Sequence, residues 1–323
     1  MKLLLVVALS VAGLTAAEQS QPRFSTSVNL LVVSAVVRNA DGSITSGLTR
    51  DDFELLEDGK PLPIATFAEV NTDSRTSLDD GRFIVLLLDD LGTDAAFTTR
   101  IKQTAHAFVD RMGPKDVLSV VFLDGSNSTT TSSKAELHKA IDQRKGFGRA
   151  VLSPPGSGHT MRTVSGLSAQ LARVGHRRKL LVFIGPAAGF NTTDLRGDTG
   201  EALRDSAQAS LTTYAIDPLG LTEKSALAPR PIDAGGLAPP QTGITSKGAG
   251  FTIDNQGGFA RETGGLVFAN MNVLAPAVNQ VWEEAGNYYL LGYDRPQRDS
   301  KRHLIEVRVK RPGVDVRARR TRG

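Results

Sequence analysis

RFIVLLLDDLGTDAAFTTRIKQTAHAFVDRMGPKDVLSVVFLDG, residues 82 to 125, reads as a strand, an acidic turn, an amphipathic helix and a second strand. Phe83 to Leu88 is an unbroken apolar run of strand length, the pattern of a strand covered on both faces. It breaks at Asp89, Asp90, Leu91, Gly92 and Thr93. Phe97, Ile101, Ala105, Phe108 and Met112 then recur every three or four residues and stop at Gly113-Pro114, a helix and its terminator. Open α/β sheets bind ligands outside the carboxyl ends of their strands, so Asp89 and Asp90 are the first candidates for chemistry.

Working outward, the chain to the C-terminal side keeps alternating strands with helices. Strands are expected at 83–88, 117–123, 179–185, 211–216 and 265–268, and Leu137 with Ile141 and Leu167 with Leu171 mark two shorter helices. Such alternation predicts an α/β fold with a mostly parallel sheet flanked by helices. GFGRAVLSPPGSGHT, 146–160, is irregular and lacks the spacing of a phosphate-binding loop. Residues 219–258, built of Gly, Ala, Pro, Ser and Thr, are expected to form an exposed, poorly ordered insertion.

The N-terminal side is different. SVNLLVVSAVVR (27–38) reads as a strand closed by the turn Asn39-Ala40-Asp41-Gly42, Leu48 to Asp52 as a capped turn, and Asp58-Gly59 as a hairpin between FELLE and KPLPIATFAEV. This is a small β unit, followed by a linker at 71–81. After a last helix, VLAPAVNQVWEEA, the segments YYLLGYDR and HLIEVRVKRPGVDVRARR return to strand patterning and are expected to rejoin the N-terminal unit, each being too small to bury a core alone. The expected organisation is therefore a leader at 1–17, the β unit and linker at 18–81, the α/β domain at 82–286, and terminal strands at 287–323.

MKLLLVVALSVAGLTAA opens the chain with Lys2, an apolar stretch from Leu3 to Leu14, and small residues Thr15 and Ala17 before a cleavage point. This is the form of a secretory signal peptide, so the mature chain is expected to be secreted or periplasmic, and no later run reaches membrane-spanning length. There are no cysteines, hence no disulfides, and the core alone must hold the fold. The net charge of +4 is mild, and the Arg and Lys of the last segment alternate with apolar residues as on the solvated face of a strand. Without interleaved aromatics they do not form a nucleic-acid surface. Nucleophilic catalysis finds no cysteine and no Gly-x-Ser-x-Gly elbow, and the histidines, His106, His138, His159, His176 and His303, show no paired metal-ligand spacing.

Six segments in order, GLTRDDFELLEDGKPLPIATF (47–67), IVLLLDDLGTD, HRRKLLVFIG (176–185), YAIDPLGL (214–221), ARETGGLVF (260–268) and YYLLGYDR with its VRVKRPGVDVRARR ending, resemble the VWFA-related domain proteins of acidobacteria and cover nearly the whole mature chain. The resemblance implies a von Willebrand factor A fold and a protein-interaction module rather than an enzyme. Many such domains hold Mg²⁺ through Asp-x-Ser-x-Ser, a loop Thr and a second Asp, because a hard cation takes oxygen ligands and leaves a position for a partner's carboxylate. On that pattern Asp89 matches the first Asp, Leu91 replaces the first Ser, Thr93 the second, Thr160 the loop Thr, and Gly185-Pro186-Ala187 stands where the second Asp belongs. Asp89 and Thr93 are the implied metal ligands. Asp89, Asp90, Thr93, Asp94 and Thr160 are the implied binding residues of a degenerate, mostly Mg²⁺-free adhesion site. Asp90 and Asp94 are also read as turn and helix-capping residues.

The partner expected is another protein or a cell-envelope ligand. Two other classes compete: a structural or assembly role carried by the β unit, and a haloacid-dehalogenase-like phosphohydrolase with Asp89 as nucleophile. The latter would need a general acid where Leu91 stands.

Overall fold

The computed structural model describes residues 30–71, 81–89, 95–126, 128–144, 157–175, 178–186, 197–218, 220, 252–253, 258–294 and 302–322. The leader, the residues 72–80 of the expected linker, and most of the 219–258 insertion lie outside the described residues. Among those described, no helix is long and apolar enough to cross a membrane.

The fold is mixed α/β. A seven-stranded sheet has the order β10-β11-β9-β8-β5-β6-β7, with β5 (Arg82–Leu88), β6 (Val117–Phe122), β8 (Arg178–Ile184), β9 (Leu211–Ile216) and β11 (Val267–Ala269) parallel. The edges, β7 (Ser128–Thr131) and β10 (Thr252–Ile253), run antiparallel. The expected strands 83–88, 117–123, 179–185 and 211–216 are all present, and in place of 265–268 the strand runs Val267–Ala269. β10 falls inside the segment expected to be poorly ordered: Thr252 and Ile253 pair with Ala269 and Phe268.

Alternate residues of β5 feed two layers. Ile84, Leu86 and Leu88 join the core under α1 (Ala95–Asp110), α2 (Lys134–Gln143) and α6 (Ala275–Gly286). Val85 and Leu87 join the core under α3 (Ser157–Leu171), α4 (Gly197–Gln208) and α5 (Gly258–Glu262). A strand with helices on both faces has no polar side, which is why the sequence is apolar without alternation. The chain goes from β5 to β6 on one side and later to β8 on the other, so the strand order reverses at β5, and the crevice between the carboxyl ends of β5 and β8 is the topological switch point.

Two antiparallel four-stranded sheets make the second unit. One has the order β14-β1-β12-β4, from β14 (Val314–Ala318), β1 (Leu30–Asn39), β12 (Asn287–Asp294) and β4 (Thr66–Asn71). The other has β15-β13-β2-β3, from β15 (Thr321–Arg322), β13 (His303–Val309), β2 (Phe53–Glu57) and β3 (Lys60–Leu62). Val33, Ala35 and Val37 from one sheet and Leu55, Ile305 and Val307 from the other share a core with Tyr289 and Tyr293. At the β2–β3 turn Asp58 and Gly59 both take positive φ, 49° and 77°, the primed geometry that matches strand twist. The capped turn is present too: the Asp52 carboxylate accepts from the Thr49 N–H at 2.7 Å and from its hydroxyl at 2.8 Å.

The two units are joined by buried charge. Glu284 of α6 is fully buried, and its Oε1 accepts from Arg38 Nε of β1 at 3.0 Å, from Gln280 at 2.9 Å and from Arg317 of β14. Its Oε2 accepts from the Tyr214 hydroxyl of β9 at 2.8 Å. Burial pushes the Glu284 carboxyl up, but Arg317 and Arg38 outweigh it and hold the group below its ordinary range. Burial first, and Glu284 second, push the Tyr214 hydroxyl up, so it remains an O–H donor. Nearby, Arg319 donates to Ala207 O near the end of α4 at 2.6 Å and to Val32 O of β1 at 2.9 Å. Arg178, first residue of β8, lies over the Tyr288 ring at 4.6 Å.

Candidate functional site

The carboxyl edge of the parallel sheet is built by backbone pairing. Asp89 N–H donates to Ile184 O at 2.9 Å, Gly185 N–H to Ile216 O at 3.1 Å, and Asp217 N–H to Phe268 O at 2.8 Å, so the ends of β5, β8, β9 and β11 are stitched in register. Leu123 N–H donates to Leu88 O at 2.9 Å, and Leu123 O accepts from His159 Nε2 at 3.0 Å. That chain brings the first turn of α3 to the ends of β5 and β6.

Asp89 sits one residue beyond β5 and is 9 % exposed. Thr160 is buried as well, at 1 %, and lies in the first turn of α3 rather than in the loop where the resemblance would place it. Ser157 and Gly158 begin that helix, so the last four residues of the stretch expected to be irregular, 157–160, are helical. Asp90, Leu91, Thr93 and Asp94 lie outside the described residues.

Gly185 decides what the switch point can hold. A Cβ there would meet Asp89 Cβ at 2.6 Å, Phe183 Cζ at 2.9 Å and Asp89 O at 3.0 Å, so the crossing of the two strand ends has room only for hydrogen. The second carboxylate of a Mg²⁺ site has no place at this position, and the residues present do not fit the ion well. Gly185→Ala is expected to lower stability by about 1–3 kcal/mol, the usual cost of forcing a methyl into a packed contact. Urea unfolding followed by circular dichroism checks this; an unchanged midpoint would mean that the strand ends separate freely.

Two carboxylates that the sequence reading passed over share this edge. Asp217 follows β9 and is 8 % exposed. Asp124 follows β6 by two residues; its Oδ2 accepts from Arg144 Nη1 at 2.7 Å and its Oδ1 from the Ser126 hydroxyl at 2.6 Å and N–H at 2.9 Å. Burial pushes the Asp124 carboxyl up, but these donors together hold it below its ordinary range. Arg144 is also stacked over Phe122 at 4.9 Å, so this ion pair is a fixed part of the rim. The only sequence signal for either aspartate was its place immediately beyond an apolar strand. Both were hidden because Asp124-Gly125 and Asp217-Pro218 also read as turns. On the far side of the edge Arg100 of α1 donates to Met271 O at 3.2 Å and Asn272 O at 3.1 Å, just past β11.

Among the described residues one group of three has ligand atoms all close enough to share a metal: Glu57 and Asp58 at the β2–β3 turn of the second unit, and His303 of β13. His303 Nδ1 is 2.7 Å from Asp58 Oδ2 and 3.3 Å from Glu57 Oε1, and Asp58 Oδ1 accepts from Leu304 N–H at 2.9 Å. An N–H shared between two carboxylates accounts for this contact without an ion.

No known protein family matches the chain, and no curated protein matches it. Among solved structures it is similar to proximal thread matrix protein 1 of the mussel byssus, with 16 % identity and a TM-score of 0.32, covering 46 % of this chain and 39 % of that one. It is also similar to the N-terminal domain of TFIIH p34, with 10 % identity and a TM-score of 0.27, covering 43 % of this chain and 82 % of that one. Thus it spans well under half the length of the byssus protein, and similarities this slight carry no argument about function.

Proposed function

We propose that this is an exported von Willebrand factor A-type module that binds another protein or a cell-envelope ligand at the carboxyl edge of its parallel sheet, without catalysis and without depending on Mg²⁺. The observation that carries the reading is the contact between Gly185 and Asp89 at the switch point: at the strand end that the resemblance assigns to a second metal-binding carboxylate, Asp89 and the Phe183 ring leave no room for a side chain. The edge keeps the position where such folds bind, with Asp89, Asp217 and Asp124 beyond the strand ends and α3 entering beside them. Phosphoryl transfer is disfavoured because Leu91 stands where the general acid of that chemistry would be needed.

The test is capture of envelope components on immobilised protein. The reading expects material retained by the native chain in chelator, lost with Asp89→Asn, and kept with Arg308→Ala, an exposed residue of β13. Retention that vanishes in chelator would replace it with a metal-dependent site. Loss with Arg308→Ala but not Asp89→Asn would move binding to the β unit.

A further inference from the structure

Away from the sheet edge, α1 and α2 bring two histidines together. His106 Nδ1 lies 2.7 Å from His138 Nδ1, the ring centroids being 4.9 Å apart. Each ring's other nitrogen faces a carboxylate: His106 Nε2 is 2.9 Å from Asp142 Oδ1, and His138 Nε2 is 3.1 Å from Asp110 Oδ1. The four side chains form a line across the helix pair, Asp142–His106–His138–Asp110.

The proton placement follows from chemistry. An imidazole nitrogen at hydrogen-bond distance from a carboxylate oxygen carries the hydrogen, so both Nε2 atoms are donors. In neutral rings both Nδ1 atoms are then bare lone pairs, aimed at each other. Two lone pairs at that distance repel unless a cation lies between them. The cation is either a proton or a metal ion.

We propose that this pair is a binding site for a divalent transition ion of the Zn²⁺, Cu²⁺ or Ni²⁺ class, held between the two Nδ1 atoms with water completing the shell. The carboxylate–histidine pairs are the outer shell that metal-bound imidazoles characteristically have: they fix tautomer and orientation and raise ligand basicity. Imidazole is also the ligand these ions favour over Mg²⁺ or Ca²⁺. With metal–nitrogen bonds of about 2.0–2.1 Å, tetrahedral ligands stand roughly 3.3 Å apart, so the rings need to open by only about half an ångström. Their side chains are 27 % and 31 % exposed, which leaves an entry path and open coordination positions. Lys102 and Lys134 donate to the backbone carbonyls of Asp142 and Asp110 at 3.1 and 2.7 Å, leaving the side-chain carboxylates turned to the rings. The site is independent of the proposed binding edge.

Calorimetric titration of the full-length mature chain with ZnCl₂, and Cu²⁺ electron paramagnetic resonance on the same sample, test this. The expected result is one saturable equivalent and a spectrum with two coordinated nitrogens. His106→Gln and His138→Gln should each weaken binding at least about tenfold, and Asp142→Asn by about ten- to a hundredfold through the outer shell. Circular dichroism establishes that each variant is folded. Should either glutamine variant fail to fold, His138→Asn, together with the native chain's two-nitrogen spectrum, decides. Absence of saturable binding, or binding unchanged in the folded histidine variants, overturns the proposal. So does binding that His303→Gln abolishes, which would place the ion at Glu57, Asp58 and His303 instead.

Discussion

Glu284→Ala is expected to be strongly destabilising, costing about 3–5 kcal/mol and lowering Tm by on the order of 10 °C. The carboxylate is fully buried and takes hydrogen bonds from Arg38, Arg317, Tyr214 and Gln280. Without it, the largely buried Arg317 loses its carboxylate partner and Arg38 keeps only Glu283, 2.6 Å from its Nη2 on the exposed side of the joint. Glu284→Gln, which keeps shape and acceptor but not charge, should fall between the alanine variant and the native chain.

The pH dependence has a fixed sign. Because the folded-state carboxyl is held below its ordinary value of 4.5, its contribution is complete above that value and is lost as pH falls through the folded-state pKa. Acid unfolding of the native chain should therefore show a component that is missing from Glu284→Gln. Equal acid sensitivity in the two proteins, or a loss under about 1 kcal/mol in the alanine variant, would show that the ionic joint does not hold the units together.

Asp116→Ala is expected to cost a similar amount at the opposite, amino edge of the parallel sheet. Asp116, 2 % exposed, accepts from Arg82 Nε at 2.8 Å, Arg82 Nη2 at 2.7 Å, Arg82 N–H at 3.2 Å and Gly113 N–H at 2.7 Å. The Arg82 guanidinium in turn lies 4.5 Å over the Trp282 ring of α6. One carboxylate thus fixes the start of β5, the turn after α1 and the face of α6. Its removal leaves a buried arginine unpaired, a loss of about 3–5 kcal/mol by urea unfolding. Partner capture should be unchanged in conditions where the variant is folded, since Asp89 lies at the other end of β5. A variant that keeps full stability would mean that the stack on Trp282 alone secures Arg82.

The fold class was legible because its signals are local. Unbroken apolar runs at β5 and β8, the β-branched and aromatic run of β9, and the three-to-four spacing in α1 need no partner to be read. β11 starts two residues later than its pattern suggests because Gly264 and Gly265 precede it as a turn: Gly265 N–H donates back to Ala260 O at 2.8 Å. Ser157, Gly158, His159 and Thr160 resembled a loop by composition, yet small and polar residues also start helices. Of the residues expected at the site, Asp89 and Thr160 are described, and Asp90, Thr93 and Asp94 are not. Asp124 and Asp217 join it through parallel register across several strands, and His106 and His138 meet through the packing of α1 on α2; neither relation leaves a mark at fixed spacing in the chain.

The pairing of β1 with β12 bears on the order in which the molecule can be assembled. Leu30 stands opposite Asp294, and β14 closes the other side of β1, so the first described strand has both neighbours supplied by the last quarter of the chain. The pairings of the α/β body between them span less chain, Arg82 with Arg178 at β5–β8 and Ala215 with Val267 at β9–β11, so its loops can close earlier. β1, with Val33, Ala35 and Val37 on one face, has to wait through that interval with two unsatisfied edges. Among the described strands, the one synthesised earliest is thus the longest open to mispairing, and its edges, rather than those of the larger domain, are where misassembly is favoured.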